Sequence, residues 1–229
     1  MNVDALTQQA NADIGGYILT HYGGVDGGVL RAADAVSALG ALAGVFAQAQ
    51  ARAMLASGAL ANTETSLAQV TTRDGGVYYF GDAINACLFE GTRERPAFWN
   101  VAAGAANDPN IGAVIDIADI ARHTAATLGG PDFGKPRFDE RYRLSEAPIE
   151  AVRAHALAFL QRFKQIGVNP ANLMLAFGLT AQGLAPLAAG ELADLPVDTP
   201  MRRADAVRLM MEAAIPMSKL DLRALGMVS

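Results

Sequence analysis

A chain of 229 residues can bury a full hydrophobic core without disulfides or metal staples. Its net charge of −5 and pI near 5.2 exclude a phosphate-neutralising nucleic-acid binder, because its basic residues cluster only at Arg93–Arg95, Lys135–Arg143 and Arg202–Arg203. Alanine supplies about a fifth of the chain and aromatics 7%, a composition suited to closely spaced helices and thin helix interfaces. The single cysteine, Cys87, excludes an intramolecular disulfide framework and fits a reducing compartment. The N-terminal stretch MNVDALTQQANAD lacks the basic and apolar regions of a secretory signal, so the sequence predicts a cytoplasmic protein.

Apolar residues at Leu6, Ile14 and Ile18 predict a helix from Val3 to about His21, weakened by Gly15 and Gly16. The glycine-rich stretch Gly23–Gly28 reads as a linker; no strand precedes it and no lysine follows in a phosphate-loop position. The longest helix is predicted from Val29 to Ser57, with Gly58 in the position that ends helices. Within it, Ala35–Ala51 is uncharged and carries Gly40 and Gly44 in GxxxG spacing. Ser37, Gln48, Gln50 and the weak hydropathy of alanine favour a tight helix crossing in a soluble core over a membrane span.

The segment Ser66–Phe89 departs from the helical background. Strands are predicted at Ser66–Thr72 and Gly76–Phe80, joined at Asp74-Gly75 by a type I′ turn, with Asp82 capping a short helix that runs to Phe89. A further helix runs from Pro96 to Ala106, with Trp99 as its anchor, and another from Gly112 to Leu128. Gly129–Leu144 reads as a long loop and the fallback boundary if the chain were two domains. Beyond it, Ser145 introduces a helix to about Ile166, with Pro148 in its first turn. Asn169-Pro170 and Thr199-Pro200 mark two more starts, Ser218 and Asp221 resemble a capping box, and Gly178, Gly183 and Gly190 divide the intervening stretch into short helices. The expected fold is mainly α, a single multi-helix orthogonal bundle over residues 1–229 with one small β-hairpin insert.

No catalytic motif stands out. Tyr78, Tyr79, Asp82 and Asn85 form the most plausible small-ligand wall, since alternate strand residues face opposite sides and one tyrosine is left for recognition. Asp116, Asp119 and His123 share one helical face and could bind a transition metal, although the same spacing describes an ordinary solvated face. His155 is expected at the surface or boundary of its helix, and His21 at a helix C-terminus where an imidazolium is favoured. Cys87, among Ala86, Leu88 and Phe89, reads as a small buried hydrophobe. Arg137, Asp139, Glu140, Arg141 and Arg143 could close over an anion if their loop is a lid.

The expectation is a homo-oligomeric interaction or small-ligand-binding protein, a homodimer with no cofactor, nucleic acid or membrane partner. A small-molecule enzyme is the alternative, its site lying between the 66–89 hairpin-helix and the 112–128 helix, with or without a metal. The dimer follows from the hairpin, whose uncharged edges need covering by its own helices or by a second copy.

Overall fold

In the computed structural model, which describes residues 3–23, 28–192 and 194–228, α1 (Ala5–His21) begins at Asp4, whose carboxylate accepts the Thr7 amide at 2.8 Å. The glycine-rich linker falls largely outside the described residues, at 24–27. Then α2 (Ala32–Ala56) starts with the Ala32 amide donating to Asp198 at 3.0 Å, and ends at Ser57 with Gly58 at φ 75°. The antiparallel hairpin β1 (Ala68–Thr71) and β2 (Val77–Phe80) sets Gln69 opposite Tyr79 and Val70 opposite Tyr78. It leads into α3 (Asp82–Leu88), α4 (Phe98–Ala102) with a 3-10 turn at Ala103–Ala106, α5 (Ile111–Val114) and α6 (Ile117–Ala126). After an irregular stretch come α7 (Pro148–Ile166), a 3-10 turn at Pro170–Asn172, α8 (Leu173–Ala188) and α9 (Arg203–Met217). The fold is mainly α with one small antiparallel hairpin, as the sequence predicts.

Its centre is α2, flanked by α9, α8, α3 and α7. Gly40 and Gly44 are what let α9 approach. A β-carbon on Gly40 would lie 2.2 Å from the Met210 carbonyl oxygen, and one on Gly44 2.2 Å from that of Ala214. The GxxxG spacing therefore marks a backbone-to-backbone crossing inside the protein. By length and composition α2 and the Pro170–Ala188 stretch could cross a membrane, yet 94% of the apolar window of α2 is buried within this fold. Phe46 of α2 meets Phe163 of α7 and Phe177 of α8 at ring separations of 5.1 and 5.5 Å, and buried apolar residues from Ala10 to Met227 form one contiguous cluster.

Several local expectations are corrected. Asp74 does not take positive φ. The Gly75 amide donates to Thr72 O at 3.0 Å with Gly75 alone at φ 87°, a three-residue loop instead of a type I′ turn. Gly81 stands at the N-cap of α3, so Asp82 is already its first residue. Phe98 is the fully buried anchor of α4, and Trp99 only half-buried. The 112–128 helix is two, because Ile115 is extended and Asp116 caps α6 by accepting the Asp119 amide at 2.9 Å. In α8, Gly178 and Gly183 do not break the helix; Gly178 lies against Val101, where a β-carbon would come within 2.4 Å. The last helix starts at Arg203 rather than beside Thr199-Pro200, and Ser218 is its C-cap rather than the cap of another helix.

The 129–144 stretch, without regular structure, is tied down. Phe133 meets the Tyr78 ring at 5.1 Å, Arg137 pairs with buried Glu212 of α9 at 3.2 Å, and the Tyr142 hydroxyl donates to Asp205 at 3.3 Å. On the hairpin, the Tyr79 amide donates to Lys219 O at 2.8 Å, so the outer edge of β2 is covered by the protein's own chain. All four β1 residues are exposed.

Candidate functional site

The residues singled out from sequence do not converge on one cavity. Tyr79 is buried beneath Arg52, whose guanidinium lies 4.3 Å from the ring centre, and its hydroxyl donates to Gln69 at 3.2 Å. Tyr78 faces the other way, onto Phe133. Asp82 accepts the Thr65 hydroxyl at 2.7 Å, and half-buried Asn85 belongs to the body of α3. Asp116 and Asp119 lie 3.7 and 3.6 Å from Arg122, and Asp119 also pairs with Arg137 at 2.8 Å. His123 is half-buried on the same helix, and among the described residues no three His, Cys, Asp or Glu are grouped to hold a metal ion. Of the lid residues, Arg137 is fixed between Asp119 and Glu212, and Arg141 pairs with Asp139 at 3.1 Å. The Cys87 thiol is buried and pushed up to about 12 by that burial, so it stays protonated at neutral pH.

What does converge is the junction of α1, α2 and α7. Its floor is Asp34, only 4% exposed, which accepts the amides of Ser145 at 2.8 Å and Glu146 at 3.2 Å, the Ser145 hydroxyl, and Arg31 at 3.1 Å. This carboxylate docks the chain ahead of α7 onto the first turn of α2. Glu146 accepts the hydroxyl of fully buried Tyr22, a phenol held far above its ordinary range by burial and by that carboxylate. Arg31 lies 5.2 Å from the Tyr22 ring centre.

Beside this network sits His155 of α7, 3% exposed. Its Nδ1 shares a hydrogen bond of 2.8 Å with the Tyr17 hydroxyl, while its Nε2 is buried with no partner among the described residues. Tyr17 and His21, one helical turn apart, stack in parallel at 5.9 Å, and the His21 and His155 ring centres are 4.3 Å apart. Burial, then the neighbouring His21, lowers the His155 pKa, with Glu146 opposing; the Tyr17 pKa is raised by burial and by Glu146. A neutral imidazole therefore backs a protonated phenol.

Tyr17 also lines a hollow of about 500 Å³ between α1 and α7, together with Asp13, Gly16, Thr20, Phe159 and Arg162. That volume falls within the usual range for small-molecule pockets, roughly 300–1,000 Å³. A second hollow of about 750 Å³ reaches from Lys135 to Ser145 and Glu150. Sequence reasoning missed this site because it placed His155 at the surface or boundary of its helix. The available signal was periodicity: Val152, His155, Ala156, Phe159 and Phe163 recur at helical spacing on the buried side of α7. No protein-family model matches the chain, and comparison with curated proteins and with solved structures finds no similar one.

Proposed function

We propose that this chain is a cytoplasmic small-ligand-binding protein that works as a homodimer, with its ligand seated in the α1–α7 groove beside Tyr17 and His155. The observation that carries the proposal is the buried ring of His155 with Nε2 unpartnered, behind a half-buried phenol that borders a hollow of ligand size. A buried polar group left without a partner costs about 1–3 kcal/mol, and such costs are retained where a site has work to do. Binding is favoured over catalysis because the acidic groups at hand are already engaged: four donors surround Asp34, and Tyr22 occupies Glu146.

The test is a thermal-shift screen of small aromatic and heteroaromatic compounds, followed by NMR of the protein carrying isotope-labelled histidine. A binder should move the ring signals of His155 and His21 and leave those of His123 in place. Hits that perturb His123 alone, or a screen without a hit, would remove the junction as the binding site. The homodimer has its own support in β1, an exposed strand edge with no charged residue on it.

A further inference from the structure

We infer that the α1–α7 groove recognises an aromatic carboxylate, its ring lying over Gly16 against Tyr17 and Phe159 and its carboxylate on Arg162. The assignment rests on the ligand-binding function proposed above and names the ligand class. Half-buried Tyr17, backed edge-to-face at 4.8 Å by buried Phe159, gives the groove an aromatic wall. Gly16 stands in the middle of α1, where glycine is the costliest residue short of proline. No packing contact accounts for it: a β-carbon there would meet nothing within 4 Å. This is unlike Gly40 and Gly44, whose missing side chains are filled by a neighbouring helix. At Gly16 the space is open and belongs to the hollow.

The charged groups at the rim set the sign of the ligand. Asp13 is satisfied on both oxygens, by Gln9 at 2.8 Å and by the Nε of Arg162 at 2.6 Å. Arg162 is not: among the described residues it engages Asp13 alone, and its side chain is 46% exposed. Its two Nη groups form the fork that suits a carboxylate, and Asp13 holds the guanidinium in orientation from the Nε side. A cationic ligand would instead meet the Arg162 guanidinium beside an Asp13 whose two oxygens already carry a hydrogen bond each. The Tyr17 hydroxyl, tied to His155, offers a polar contact for a ring substituent.

Isothermal titration of the full chain with naphthoate and with its neutral alcohol analogue, naphthalenemethanol, tests this. Naphthoate should bind saturably and at least about tenfold tighter than the alcohol, a difference of about 1.4 kcal/mol. Arg162→Gln should abolish that preference and Arg162→Lys restore part of it. Gly16→Leu should block both compounds while the melting temperature stays at or above the wild-type value. Equal binding of acid and alcohol, both lost in Gly16→Leu, would overturn the carboxylate assignment and leave the ligand-binding function standing. Absence of saturable binding by either compound would overturn the groove as an aromatic site, whatever the histidine-labelled screen finds elsewhere. If Gly16→Leu instead converts a dimer to a monomer in sedimentation, the groove belongs to a second copy of the chain and the inference fails.

Discussion

At the scale of single residues, two buried basic groups depart from ordinary protein chemistry, His155 and Lys219. His155 is neutral in the fold because burial and His21 oppose its charge more than Glu146 favours it. Its folded pKa lies below the unfolded value near 6.5, so the unfolded chain takes up a proton first as pH falls. The contribution of His155 is therefore fully present above about pH 6.5 and is lost as pH drops below it. His155→Gln, which can still bond to Tyr17, should melt with a shallower fall on the acid side; equal slopes in the two proteins would refute the assignment. Lys219, 4% exposed, sits with its ammonium 5.2 Å from the Phe80 ring centre and is brought down to about 8 by burial. The penalty for its charge holds in full below about pH 8 and is relieved between there and its ordinary value near 10.5. Lys219→Met should then stabilise the protein at pH 7 by on the order of 1–3 kcal/mol and remove the rise in stability on the alkaline side. A lower melting temperature for Met at neutral pH would mean the contact with Phe80 outweighs the burial. Neither residue was legible from its immediate neighbours: the burial of His155 is set by residues three and four away along α7, and Lys219 lies past the C-cap of α9, where tertiary contacts decide what is covered. Cys87 was legible, since its whole local setting is apolar.

At the scale of elements, start and stop signals worked where a side chain could satisfy a backbone group unaided. Asn169 accepts the Ala171 amide at 3.0 Å, and Gly58, free to take φ 75°, follows the end of α2. They failed where tertiary contacts took over. Thr199-Pro200 has the form of a helix start, but the neighbouring Asp198 caps α2 from across the fold, and α9 waits until Arg203. Asp116, which shares a helical face with Asp119 and His123, is the cap that starts α6. The glycines divide in the same way: spacing picked out Gly40 and Gly44, but nothing in the sequence said that Gly178 supports a crossing instead of ending a helix. Because the Gly44 position abuts the backbone of Ala214, α9 can make room only by moving as a whole. Gly44→Ala should therefore destabilise, despite the roughly 1 kcal/mol that alanine gains over glycine in a helix interior. Gly44→Leu should cost more, at least about 1–3 kcal/mol in denaturant unfolding. An alanine variant more stable than wild type would mean that α2 and α9 are not in backbone contact.

At the scale of the whole molecule, one helix organises the core: α2 is packed by α3, α7, α8 and α9, which is why its apolar run resembles a membrane span. The hairpin lies at the periphery with one edge finished and one not. Ladder geometry follows from the Thr72 amide donating to Gly76 O at 2.9 Å: alternate residues Ala68 and Val70 bond to β2, which leaves the amides and carbonyls of Gln69 and Thr71 facing outward. A second copy placed antiparallel about a two-fold axis through Val70 would match Gln69 of each chain to Thr71 of the other. The two Val70 side chains, 39% exposed in the single chain, would then meet on the axis. In such a non-hydrogen-bonded pair the Cα atoms lie about 4.5 Å apart, within disulfide range. Val70→Cys should thus oxidise to a covalent dimer in high yield, whereas the wild-type protein, with its single cysteine buried, should not. Thr71→Pro removes an outward amide that the hairpin itself does not use, so it should leave the melting temperature nearly unchanged and shift sedimentation equilibrium from dimer to monomer. A wild-type protein that sediments as a monomer at micromolar concentration would defeat the dimer altogether. A dimer that survives Thr71→Pro, with no crosslink through position 70, would place the interface on the helices and away from the β1 edge.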